Sequence, residues 1–158
     1  MKYKIAELSD RIHKRVTDIR HDIHQHPETA YHETRTAKVI EAFLGENGIN
    51  YKRCAGTGVT AVIGSEKGHI VGLRSEMDAL STQDLTGLPY ASVNEGTAHA
   101  CGHDGHIAIL LGTAWVLRHL EKELKGQVKL MISQIMKSCV TNCMILLLKL
   151  SLRIKSEW

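Results

Sequence analysis

The chain has 158 residues, 43% hydrophobic and 23% charged, with a formal charge of +3. That is long enough for one domain with a sizeable core, too short for two comfortable ones, and unlike a disordered or fibrous protein. Basic residues are scattered rather than striped and aromatics make up only 4%, which argues against a nucleic-acid surface built on stacking platforms.

Met1 to Asp10 mixes lysines with single apolar residues and has no apolar h-region, so no secretory signal is read there. The cysteines at 54, 101, 139 and 143 have no disulfide-framework spacing, which points to a reducing compartment and a cytoplasmic location.

From Ile5 to about His26, Ile5, Leu8, Ile12, Val16, Ile19 and Ile23 keep a three-to-four residue period, predicting an amphipathic helix closed by Pro27. His21, His24 and His26 crowd its far end and are read as surface groups near the favourable end of the helix dipole. A second helix begins at Glu33-Thr34, with Ala37, Ile40, Phe43 and Leu44 as its apolar face, and ends near Gly45 and Gly48. Val59–Ile63 and Ile70–Leu73 read as strands separated by a Gly64–Gly68 turn, with Cys54 before them as a small buried hydrophobe. Arg74 to Leu80 then sets three charges where the second strand leaves the core, which is where α/β proteins keep their chemistry. A loop from Ser81 to Ala98, with a turn at Gly87-Leu88-Pro89-Tyr90, leads to the most polar stretch of the chain.

That stretch, His99 to His106, holds one thiol, three imidazoles and a carboxylate in eight residues, with Gly102 and Gly105 allowing sharp turns. Ile107, Leu110, Leu111, Ala114, Trp115 and Leu117 follow at helical spacing up to Leu124, so the cluster sits at a helix N-terminus, where a thiolate is stabilised. Cysteine with neutral histidine suits Zn²⁺, and Co²⁺ or Mn²⁺ when carboxylates join. The spacing lacks the second ligand pair of a zinc finger, which favours an open, catalytic kind of site. The alternative is a helix-capping loop with Asp104 as cap and the histidines as polar surface. A strand at Gln127–Leu130 completes an α/β alternation.

Four blocks carry a resemblance: Arg20 through Glu28, Leu73 through Leu80, Thr86 through Ser92, and His99 through His106. Together they resemble the metal-dependent amidohydrolases of the hippurate hydrolase, N-acyl-amino-acid hydrolase and indole-acetyl-amino-acid hydrolase group, allied to the aminoacylase and carboxypeptidase-G type peptidases. The resemblance runs from about Arg20 to Leu130 and implies an α/β fold, the N-terminal part of a three-layer zinc-exopeptidase-like catalytic domain. It implies Cys101 and His103 as ligands of a two-metal site (Zn, Mn or Co), Asp78 as an aspartate orienting a ligand, and an N-acyl amino acid as small-molecule substrate. Nucleic-acid and membrane partners are not expected. Glu76 departs from the aspartate usual at its place. Asp104 and His106 match the motif but are read as loop and helix-cap residues rather than ligands.

Family members continue past Leu130 into a Gln-Pro-Ala-Glu-Glu block that supplies a general base and a further ligand; here the chain reads Met131-Ile132-Ser133-Gln134-Ile135. All 13 glycines and both prolines precede Met131, although a stretch as long as 131–158 would hold about two glycines at average usage. The expectation is therefore a catalytic-domain part, 1–130, followed by a divergent, frameshifted tail, 131–158. Met144–Leu152 is apolar but too short for a membrane span. Such a chain is expected to lack amidase turnover, to bind metal weakly, and to self-associate through an uncovered sheet edge.

Overall fold

The computed structural model describes residues 2–133; the apolar run 144–152 and the rest of the tail lie outside the described residues. Three helices, α1 (Lys2–Gln25), α2 (Thr34–Glu46) and α3 (His103–His119), accompany four strands, β1 (Tyr51–Cys54), β2 (Gly58–Gly64), β3 (Ile70–Glu76) and β4 (Gln127–Ser133). The strands form one mixed sheet in the order β1-β2-β4-β3, in which β4 runs antiparallel to β2 and parallel to β3.

The apolar period of α1 delivers Leu8, Ile12, Ile19 and Ile23 to the interior, and α2 buries Ala37, Ile40, Phe43 and Leu44. Alternation along the strands turns Val59, Ala61, Ile63, Leu73, Leu130 and Ile132 to the same side, where they join the helices in one cluster with Ile107, Leu110, Leu111 and Ala114. The opposite side of the described sheet keeps Val62 and Ile70 exposed. No described helix is long and apolar enough to cross a membrane.

Several boundaries differ from the sequence reading. The Gly64–Gly68 turn does not make a hairpin, because β4 enters between β2 and β3, with Gln127 opposite both Gly64 and Ile70. That turn presses on the start of β4 so closely that a Cβ on Gly126 would collide with the His69 carbonyl, hence glycine. Strand β4 pairs through Ser133, beyond Leu130. Helix α3 stops at His119 rather than Leu124: a 3₁₀ turn, Glu121–Glu123, tightens the chain, and Glu121 Oε1 accepts from the Gly64 amide at 3.0 Å. Cys54 closes β1, an edge strand, and is half-buried rather than buried.

Candidate metal centre

Strands β3 and β4 are parallel and joined through α3, so their carboxyl ends and the N-terminus of α3 meet at one end of the sheet, the usual location of chemistry in α/β folds. The chain leaves β3 at Glu76 and is anchored at once: the Ala79 amide donates to the Glu28 carbonyl at 2.8 Å, and Leu80 pairs with Ala98 through two backbone bonds. Glu28 meanwhile accepts from the Arg35 and Thr36 amides at the start of α2. The Pro27-Glu28 corner therefore fixes both α2 and the segment bearing Asp78.

Gly102, in the left-handed region at φ 79°, turns the chain into α3. His103 follows, buried, with its Nδ1 2.8 Å from the Asp78 carbonyl oxygen. A carbonyl only accepts, so Nδ1 carries a proton, and in the neutral ring Nε2 then holds the lone pair, the tautomer a metal-binding imidazole needs. Asp78 itself is 1% exposed; its Oδ1 lies 3.2 Å from His103 Nδ1, yet neither carboxylate oxygen receives a hydrogen bond. A buried carboxylate with no donor, beside an imidazole with a free lone pair, calls for a cation.

Glu76, His103 and His106 offer ligand atoms within 4.8 Å of one another, the one such group among the described residues. His106 Nδ1 stands 3.8 Å from Glu76 Oε2, while Glu76 Oε1 is engaged by Arg74. The donor set of two imidazoles and one carboxylate suits a divalent ion. Cys101 lies exposed two residues before His103 and is outside that group. The sequence reading thus has His103 beside Asp78, while Glu76 and His106, set aside as a departure and a capping residue, come together with His103. The i, i+3 spacing of His103 and His106 on a helix is the signal that could have found the pair.

Two other readings are corrected. His24 is not a surface group: it is 8% exposed, with Nδ1 2.9 Å from Asp104 Oδ2 and Nε2 3.4 Å from Asp84 Oδ2. Asp104 does not cap α3; it is fully buried in the first turn and also accepts from Arg20 Nε at 3.3 Å. Both follow from α1 packing along α3, which sets the end of α1 against the first turn of α3. His21 and His26 are half-buried, His21 stacked on Tyr90 and His26 bonded to the Asp22 carbonyl. His99 is 3% exposed, and burial is the main cause holding its pKa down to about 4, so it is neutral near pH 7.

The mixed α/β layer thus carries its candidate metal centre at the carboxyl ends of its parallel strands. Residues 72–134 match the model of peptidase family M20/M25/M40. It is 43% identical over 120 residues to an N-acetylcysteine deacetylase of Bacillus subtilis, covering 74% of this chain and 32% of that protein. It is 38% identical over 130 residues to an N-acyl-L-amino acid amidohydrolase of Geobacillus stearothermophilus, covering 81% and 35%. A dinuclear metal binding peptidase of the M20 family from Bacillus subtilis superposes with a TM-score of 0.75 at 41% identity, covering 78% of this chain and 35% of that structure. The chain thus spans about a third of the length of the relatives it matches.

Proposed function

We propose that this chain is part of a metal-dependent amidohydrolase whose substrate class is N-acyl amino acids, with Cys101 and His103 as metal ligands and Asp78 orienting His103. The observation that carries the reading is the Asp78–His103 pair: a buried carboxylate without a hydrogen-bond donor beside an imidazole whose Nε2 is free. Glu76 and His106 are further donors within reach of the same ion. A bound divalent ion (Zn, Mn or Co) supplies carbonyl polarisation and an acidified water. The chain's own part is to hold His103 in one tautomer through the Asp78 carbonyl and to place a negative charge behind it.

The names of the relatives support the substrate class. The expected division, a catalytic-domain part at 1–130 and a frameshifted tail at 131–158, stands with this reading. So does the absence of turnover: amide hydrolysis needs a positioned base, worth roughly 10²–10⁴ in rate, and no matched glutamate follows Leu130. The sheet side that leaves Val62 and Ile70 exposed supports self-association.

The experiment is metal analysis of the purified chain after dialysis, together with an assay on hippurate and acetylated amino acids. Metal held by the parent and lost in Cys101→Ala and His103→Ala supports the centre, and equal retention in all three refutes it. Turnover by the short chain that Cys101→Ala abolishes would refute the lost-base reading. Sequencing the gene beyond codon 130 tests the tail.

A further inference from the structure

One peptide group makes the contact behind His103 with one end and is held by its other end. Its carbonyl, that of Asp78, accepts from His103 Nδ1 at 2.8 Å, and its amide, that of Ala79, donates to the Glu28 carbonyl at 2.8 Å. A peptide group is planar, so its N–H and C=O turn together. The chain on either side is held: Glu76 ends the β3 ladder opposite Ser133, and Leu80 exchanges two backbone bonds with Ala98. Those pairs fix the ends of 77–79 but not the tilt of the 78–79 plane, which can swing through opposed rotations at Asp78 ψ and Ala79 φ with little movement of the flanking Cα atoms. The tilt matters because His103 Nδ1 has a second acceptor nearby, Asp78 Oδ1 at 3.2 Å. Glu28 meets the amide side. Its carboxylate accepts from the Arg35 amide at 3.0 Å, the Thr36 amide at 2.8 Å and the Thr36 hydroxyl at 2.9 Å, all in the first turn of α2.

We propose that Glu28 is a positioning residue for the metal centre: its side chain, fastened to α2, sets its own carbonyl against the Ala79 amide and so keeps the Asp78 carbonyl, rather than the Asp78 carboxylate, on His103 Nδ1. The proposal rests on the metal-centre reading. Residues 26–33, between α1 and α2, are irregular apart from the bridge of Thr29 to Ala79, so the place of the Glu28 carbonyl depends on what ties this corner down. On one side Pro27 is buried and its carbonyl accepts from Asn94 at 2.9 Å. On the other, the N-cap residue of α2, Glu33, makes no side-chain cap bond, and the Glu28 carboxylate supplies acceptors to the first-turn amides, where negative charge is favoured. Helix α2 is a rigid support, because its apolar face is fully buried. If the 78–79 plane turned, the Nδ1 proton would pass to Asp78 Oδ1 in a charge-assisted bond, and the carboxylate would be engaged by His103. Held on the carbonyl, the ring leaves that charge to the ion.

The test uses the full chain. Without metal, NMR follows amide exchange at Ala79, Leu80 and Ala98 and the resonance of the His103 Nδ1 proton; Co²⁺ affinity is read from its visible absorption. In Glu28→Ala the Ala79 amide should exchange about tenfold faster while Leu80 and Ala98 keep their protection. The Nδ1 proton should move downfield as its bond passes to the carboxylate, and Co²⁺ binding should weaken about tenfold, the low end of the range for groups that support a ligand from behind. Glu28→Gln keeps the shape but offers one acceptor oxygen to two amides, so it should move all three readouts by a smaller step in the same direction, and it decides the matter if Glu28→Ala does not fold. An unmoved Nδ1 proton with unchanged Ala79 exchange in the folded variant overturns the proposal. So does a rise shared equally by Ala79, Leu80, Ala98 and the sheet, since that is general loosening. Loss of Co²⁺ in His103→Ala with no effect of Glu28→Ala sinks the positioning role and leaves the metal reading standing. Equal Co²⁺ binding by His103→Ala and the parent sinks the metal reading, while the metal-free spectra still judge the Glu28 contact.

Discussion

Two buried carboxylates flank the entry to α3, and the protein treats them in opposite ways. Asp104, fully buried, gives one oxygen to both Arg20 and His24, so its charge is answered from α1. Asp78, 1% exposed, receives no hydrogen bond at either oxygen and has the His103 ring beside it. The first is a fastening between helices. The second, under the proposed metal centre, is a charge kept for a cation. Burial alone does not separate these roles; the identity of the donors does.

Removing the fastening should have the largest effect. Asp104→Ala leaves a guanidinium and an imidazole without their acceptor, and breaking a buried pair of this kind typically costs about 3–5 kcal/mol. Urea unfolding followed by circular dichroism should report a loss of that size, and a loss below about 1 kcal/mol would erase the contrast with Asp78.

Asp78→Asn should behave in the reverse sense. It replaces an unanswered buried charge by a neutral side chain of the same shape, so metal-free stability should stay within about 1 kcal/mol of the parent or rise. Metal retention, read by chelator competition, should nevertheless fall about 10–100-fold. Equal metal affinity in parent and variant would return Asp78 to a purely structural part.

A smaller change is expected at His106, which is half-buried and 3.8 Å from Glu76. His106→Ala should alter metal-free stability by no more than about 0.5 kcal/mol, as at ordinary surface positions. If His106 shares the ion with His103, however, the Co²⁺ spectrum should change in the loaded chain, and an unaltered spectrum would exclude it from the ligand set.

The smallest effect is one of pH. The Ser92 amide, then the Thr86 hydroxyl and amide, lower the Asp84 pKa from 3.8 to about 2. A carboxylate whose folded pKa is depressed contributes stability that is present above its unfolded value and lost as pH falls through the folded one. The 81–98 loop should therefore lose protection as pH falls from about 4 to about 2, and Asp84→Asn should remove that dependence. Proteolysis of the loop by an acid-active protease across this window would show it.

Much of the frame was legible in the chain because it is written locally. The period from Leu8 to Ile23, though not its first member Ile5, which is exposed, and the face Ala37, Ile40, Phe43 and Leu44 required burial on one side of a helix, whatever the neighbour turned out to be. Alternation marked Val59–Ile63, and the crowding of His99 to His106 marked the chemical end of the molecule. Tyr51–Cys54 gave no such mark, since an exposed edge strand of four residues has no buried face to impose a pattern.

Tertiary structure alone decided which polar groups meet. His24 and Asp104 are 80 residues apart, so nothing near His24 in the chain distinguishes a buried link from a surface histidine. The entry of β4 between β2 and β3 was equally invisible, because a turn between two strands has the same sequence whether they pair or leave room for a third. Glu76 and His106 joined His103 only once the end of β3 and the first turn of α3 were packed together. Periodicity records which side of an element is buried. The partner of a polar atom is fixed by contacts between distant elements, and those exist only in the folded chain.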